Sequence, residues 1–222
     1  MSGRRDYQDW HRRYDDPGSS LSWRLQRVRR HLGDALDHHP GETRVLSVCS
    51  GDGRDLLGVL AERADAGRVS AVLLELHPEL AQQARDAAAT AQLARVQVRT
   101  VDASRVDAYS GAVPADIVLL VGIFGNIADE DVWRLVAFAP QLCRAGATLL
   151  WSRGRKFSRE LPGVAAGDLN DEVRAAFAAA GFSEVVYETD EGGGRPALGV
   201  LRYAGPPVEL QPDQPPLFTF LR

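Results

Sequence analysis

The stretch Arg44-Val45-Leu46-Ser47-Val48-Cys49-Ser50-Gly51-Asp52-Gly53-Arg54-Asp55 decides the reading of this chain. A short apolar run, Arg44 to Cys49, stops at a turn of small residues, and helical spacing begins at Asp55 and continues to Ala64. An apolar run of that length bounded by glycine reads as a strand. A turn of Ser50, Gly51, Asp52 and Gly53 lets the backbone approach a ligand closely, because glycine carries no Cβ. The helix that follows offers N–H groups with no partner of their own.

The same rhythm repeats outward from this unit. Val69 to Glu75 is a second strand, and Pro78 opens an Ala-rich helix to about Leu93, proline being suited to a first helical turn. Val96 to Val101 alternates as a third strand. Asp116 to Val121 is a fourth, continuously apolar and therefore buried on both faces. Asp129-Glu130-Asp131 leads the next helix, its acids at the positive end of the helix dipole. Gly146 to Trp151 is a fifth strand, Asn170 to Ala180 a helix stopped by Gly181, and Glu184 to Glu188 a sixth strand. Two segments qualify as the seventh, Ala197 to Tyr203 and Leu217 to Leu221; the second is preferred, which makes 190–216 an insertion near the site. Strands alternating with helices predict an α/β fold with a mainly parallel sheet and helices on both faces. Residues 1–40 lie outside the rhythm. Leu21, Leu25, Val28 and Leu32 recur at helical spacing, which predicts a helix from about Ser20 to His39 and divides the chain into a helical extension over 1–40 and a core over 41–222.

Composition limits the partners. The chain has 222 residues, 45% hydrophobic and 25% charged, as expected of one globular domain. Two cysteines, Cys49 and Cys143, exclude a disulfide scaffold. No apolar run is long enough to span a bilayer, and the first residues lack the apolar centre of a secretory signal, so a cytoplasmic location is expected. The net charge of −4 argues against a general nucleic-acid binder. Lys156 is the one lysine among 26 basic residues, an excess of arginine that a GC-rich genome explains. Residues 1–30 nevertheless hold eight Arg against four Asp, a basic leader on an acidic core.

In open α/β sheets ligands bind at the carboxyl ends of the strands, where the strand order reverses. Glu75 ends the second strand, where a carboxylate can accept both hydroxyls of a ribose. Asp102 ends the third, beside Ala103, where it can accept the exocyclic amine of adenine. Alone, Glu75 is a strand-end acid, Asp102 a cap for the next turn, and Gly51-Asp52-Gly53 a plain turn. Their joint occurrence at the ends of the first three strands points to a nucleoside-type cofactor with free hydroxyls.

These residues, with Leu74-Glu75-Leu76-His77-Pro78, Asp116 to Leu119 and Arg144-Ala145-Gly146-Ala147, resemble the class I S-adenosylmethionine-dependent methyltransferase family over residues 44–190. The resemblance implies a three-layer, Rossmann-like, doubly wound seven-stranded sheet and S-adenosylmethionine as cofactor, with S-adenosylhomocysteine as product. It implies that Cys49, Ser50, Gly51 and Gly53 hold the methionine end, Glu75 the ribose and Asp102 the adenine side, with Leu76 and Ala103 flanking the ring. It places Gly122, Ile123, Phe124 and Asn126 between cofactor and acceptor. In the family, residues before the first strand close over the cofactor. Here Tyr14 matches that cover, Arg24 can pair with the cofactor's carboxylate, and His11 is the candidate general base. The remaining histidines, His31, His38, His39 and His77, read as helix-end residues. Two positions depart from the family pattern: Ser47 stands where an acid is common, with Asp52 a candidate replacement, and Cys49 stands where glycine is common.

The expected activity is methyl transfer to a small-molecule acceptor, an anionic one given the arginines beside Trp10, His11 and Tyr14. No paired Cys or His at ligand spacing predicts a metal site. A methyltransferase acting on RNA or protein is an alternative supported by the basic leader, and the two departures keep open a fold of this kind used for another reaction or none. A nicotinamide-dependent oxidoreductase would need glycine at the end of Gly51-Asp52-Gly53-Arg54-Asp55-Leu56, which ends in leucine.

Overall fold

The structure, a computed structural model, describes residues 14, 16, 18–154, 169–189 and 196–221. Helix α1 (Ser20–His38) starts where the Ser19 hydroxyl accepts from the Ser22 N–H at 3.0 Å. It is followed by β1 (Thr43–Val48), α2 (Leu56–Ala61), β2 (Val69–Glu75), α3 (Pro78–Thr90), β3 (Val96–Thr100), β4 (Ala115–Leu120), α4 (Asp129–Leu142), β5 (Cys143–Arg153), α5 (Leu169–Ala179), β6 (Phe182–Glu188) and β7 (Ala197–Tyr203). Short 3₁₀ turns occupy Ala66–Arg68 and Val106–Tyr109.

All seven strands form one sheet in the order β3-β2-β1-β4-β5-β7-β6. Strands β1 to β5 pair in parallel, whereas β7 runs antiparallel to both β5 and β6. The chain steps from β1 outward to β3, then returns to place β4 on the other side of β1. That reversal opens a crevice between the carboxyl ends of β1 and β4, the place where sheets of this kind bind ligands.

Helices cover both faces. On one, Val28, Leu32 and Leu36 of α1 join Leu56 and Leu60 of α2, Ala84 and Ala88 of α3, and the inward side chains Val45, Leu73, Ile117, Leu119 and Leu150. On the other, Leu135, Phe138 and Leu142 of α4, Phe177 of α5 and Tyr109 pack on Leu46, Leu74, Val118, Leu120, Leu149 and Trp151. Helix α1 is thus one of the layers that bury the sheet. Among the described residues no helix is long and apolar enough to cross a membrane.

The seventh strand corrects the sequence expectation: it is Ala197–Tyr203, and 190–216 is not an insertion, because its middle is a core strand. Leu217 to Leu221 is instead an extended tail. The physical reason is burial. Between β5 and β6 a strand needs apolar groups on both faces, and six of the seven residues of β7 are buried, against Leu217 and Phe218 alone in the tail. The tail still fixes loops at the site end of the sheet. The Leu217 N–H donates to Ser104 O, the Leu221 N–H to Asn126 O (both 2.8 Å), and the Thr219 N–H to Asp131 Oδ2.

Gly53 shows why the turn after β1 has its composition. Its φ is +70°, and a Cβ there would sit 2.7 Å from Leu73 Cδ2 and 2.9 Å from Leu57 Cδ1. Gly53→Ala is therefore expected to cost about 1–3 kcal/mol through strain and overpacking, read as a lower urea midpoint at unchanged slope.

Candidate functional site

A cavity of about 90 Å³ lies at the β1/β4 crevice. Its floor is the turn after β1, Cys49 to Asp52, with Ser47 beneath; Val121 and Gly122 supply the β4 side, Leu25 and Val28 of α1 one wall, and Tyr14, Arg24, Arg54 and Asp55 the polar rim. Cys49 to Asp52 of the predicted methionine-end loop are therefore brought together with Arg24 and Tyr14, although about 25 residues of chain separate the two groups.

The departure at Cys49 is absorbed by the backbone. Cys49 adopts φ +52°, a left-handed conformation that suits glycine and costs other residues about 1–2 kcal/mol. The loop thus keeps a glycine-like path with a side chain added. Burial, with Glu75 and Asp102 nearby, pushes the Cys49 thiol far up, so it stays protonated. The Ser50 hydroxyl is buried with no hydrogen-bond partner. In a folded interior an unmatched polar atom of this kind calls for a water or a ligand.

Glu75 is buried at the end of β2, its carboxylate fixed by two backbone donors: Gly51 N–H reaches Oε2 at 2.7 Å and His77 N–H reaches Oε1 at 2.8 Å. Each carboxylate oxygen can accept more than one hydrogen bond, so both retain capacity for a ligand. Leu76, the next residue, is 57% exposed, an apolar face left uncovered beside a buried acid. Asp102 is exposed, with Oδ1 accepting from the Ser104 N–H at 2.9 Å, so it caps its own turn. Ala103 is buried, and its carbonyl accepts from the Tyr109 hydroxyl at 2.7 Å, which sets the position of the Asp102-Ala103 pair.

Tyr14 and the arginines form the rim. The Arg24 Nη2 donates to the Tyr14 hydroxyl at 2.7 Å, and the Arg54 guanidinium lies over the Tyr14 ring, 4.3 Å from its centroid. Burial pushes the Tyr14 phenol up, and Arg24 only partly opposes it, so the group is a neutral phenol at physiological pH. The Arg24 guanidinium also lies against Gly122, with Nη1 3.3 Å from the place a Cβ would occupy. Arg29 steadies the floor from behind. It donates twice to the Arg54 carbonyl, at 2.6 and 3.1 Å, through a notch left by Gly58, where a Cβ would meet its guanidinium at 2.2 Å.

The loop after β4 differs from expectation. Gly122 borders the cavity, but Ile123 and Phe124 are fully buried. Phe124 stacks with Trp151 and Phe177 at centroid distances of 5.9 and 6.2 Å, so Phe124, like the fully buried Ile123, packs in the core. The turn causes this: Asn126 N–H bonds Ile123 O at 2.8 Å and Asn126 Nδ2 bonds Gly122 O at 2.7 Å, which curls the loop inward. His11 lies outside the described residues. Among the described residues no group of three or more His, Cys, Asp or Glu side chains is arranged to hold a metal ion.

Sequence reasoning missed Asp55, Arg54 and Arg29. Their roles depend on how the turn folds back on α1, which no spacing rule encodes.

No family model matches the chain, and no curated protein matches it. Solved structures do. The magnesium protoporphyrin IX methyltransferase ChlM of Synechocystis PCC 6803, solved with S-adenosylhomocysteine, is 14% identical with a TM-score of 0.64, over 88% of this chain and 93% of that one. The CurJ carbon methyltransferase is 13% identical with a TM-score of 0.66, over 90% of this chain and 59% of that one. An O-methyltransferase family protein from Burkholderia thailandensis is 17% identical with a TM-score of 0.58, over 89% and 69%. At these identities the common property is the fold: this chain has the three-layer, seven-stranded architecture of those methyltransferases.

Proposed function

We propose that this chain transfers a methyl group from S-adenosylmethionine to a small-molecule acceptor without a metal ion. The observation that carries the reading is the pairing of a buried, doubly anchored Glu75 with an exposed Leu76 at the end of β2, beside a glycine turn whose Ser50 hydroxyl lacks a partner. A ribose fits the first, an adenine face the second, and the polar tail of the cofactor the third. When bound, the cofactor supplies a sulfonium that carries both the methyl group and its own leaving group.

The protein's part is then to position and to exclude water. Glu75 accepts from the ribose hydroxyls at an angle preset by Gly51 and His77. Leu76 and Ala103 flank the adenine, and Asp102 accepts its amine. Tyr14, held by Arg24 and Arg54, covers the cavity, and Gly122 leaves an approach from the β4 side. Holding reactants in attack geometry can supply about 7–11 kcal/mol of barrier lowering. His11, in the basic leader, is the proposed base for an acceptor that must lose a proton, a contribution of about 10²–10⁴-fold. The arginines of the leader favour an anionic acceptor. The related folds act at carbon and oxygen, and fold does not fix the acceptor atom.

Incubation with methyl-labelled S-adenosylmethionine and a pooled small-metabolite fraction, a total RNA fraction and a protein fraction tests the reading. Label is expected among the small molecules. Label in RNA or protein alone contradicts it.

A further inference from the structure

The cofactor reading leaves one charge without a partner. Ser47, the β1 residue that lines the cavity, carries no charge, so the α-ammonium of an amino-acid end group meets no carboxylate there. Asp52, the replacement suggested by sequence, is already committed. Its two oxygens take Arg54 Nε at 3.0 and 2.9 Å, and Oδ1 also accepts the Arg54 N–H.

Asp55 is not committed in this way. It lines the same cavity, and its Oδ1 accepts from the Leu56 N–H at 2.8 Å, which caps α2 and fixes the carboxyl in place. Among the described residues no ion pair engages it. Arg24, on the same rim, acts on it through space. Burial pushes the Asp55 carboxyl up, and the Leu56 N–H and the Arg24 charge only partly oppose it. A negative and a positive side chain thus line one small cavity without neutralising each other by contact.

We infer that Asp55 and Arg24 together form a receptor for an α-amino-acid zwitterion, with Asp55 taking the ammonium and Arg24 the carboxylate of the cofactor's amino-acid end. The inference rests on the proposed S-adenosylmethionine site and moves the ammonium contact from β1 to the first residue of the turn–helix junction. A charge-assisted hydrogen bond in a half-buried site is strong, and a preset carboxylate needs no reordering to make it. Such a receptor discriminates against a nucleoside thioether that lacks the amino-acid end.

Titration calorimetry on the full chain tests this with two probes, S-adenosylhomocysteine and 5′-methylthioadenosine, which lacks the amino-acid end. Asp55→Asn is expected to weaken S-adenosylhomocysteine about 10-fold or more and to leave 5′-methylthioadenosine within about 2-fold. Asp55→Ser, which keeps a capping oxygen but no charge, should give the same split. Equal weakening of both ligands, or no weakening of either, overturns the assignment to Asp55. A wild-type protein that binds neither probe overturns the cofactor reading itself, and the assignment with it.

A ligand-free readout accompanies these. An acid whose folded value lies above its unfolded value favours folding at low pH and opposes it as pH rises through the folded value. Ligand-free Asp55→Asn should therefore gain melting temperature over wild type at pH 8 and lose that gain near pH 4. A variant less stable than wild type at pH 8 contradicts an uncompensated Asp55 charge.

Discussion

Glu75→Ala is expected to weaken S-adenosylhomocysteine binding by about 1.5–3 kcal/mol, the range for hydrogen bonds to a charged group, which is about 10- to 150-fold in Kd. The loss has two sources. The ribose hydroxyls lose their acceptor, and the Gly51 and His77 N–H groups lose theirs. The second effect also loosens the glycine turn, so some thermal stability should be lost as well. Glu75→Gln is informative rather than neutral. Both oxygens face N–H donors, and a glutamine amide must present its NH₂ to one of them. Glutamine is therefore expected to bind more weakly than wild type while keeping the side-chain volume. An unchanged Kd in a folded Glu75→Ala variant removes this residue from the site.

Gly199→Ala is expected to destabilise the fold by about 3 kcal/mol, the upper end for overpacking of a core. Gly199 lies in β7, opposite Trp151 on β5 and Tyr187 on β6. A Cβ at Gly199 would sit 2.1 Å from Trp151 Nε1 and 2.5 Å from Cε2. The indole cannot yield. It is fully buried and surrounded by Phe124, Phe177 and Tyr187 at ring distances of 5.9, 6.0 and 6.3 Å. Urea unfolding should show a lower midpoint at constant slope. In a double-mutant cycle, Trp151→Leu should recover part of the loss, because the two residues share one volume. Additive losses would show that the clash is relieved elsewhere.

Most of the fold is legible in the chain because each parallel strand announces itself twice, by its apolar run and by the glycine, proline or acid that ends it. Val45 to Gly53, Glu75 to Pro78 and Asp116 to Val121 all do so. The final strand is different. Ala197 to Tyr203 and Leu217 to Leu221 have similar β-forming composition, and the choice between them belongs to the sheet, which needs a strand buried on both faces between β5 and β6. The site divides the same way. Arg24 and Tyr14 are legible only through the family resemblance, whereas Glu75 and the Ser50 to Gly53 turn follow from strand ends. Ile123 and Phe124 do not, because a turn closed by Asn126 rotates them into the core. Asp52 and Asp55 are three residues apart and indistinguishable on paper, yet only Asp52 meets the Arg54 guanidinium.

We propose that the β1/β4 crevice holds S-adenosylmethionine. Isothermal titration of the wild-type chain with S-adenosylhomocysteine and, separately, with NADH tests it most directly. Saturable one-to-one binding of S-adenosylhomocysteine with no heat from NADH is the predicted result. Binding of NADH alone, or of neither ligand by folded protein, would contradict it.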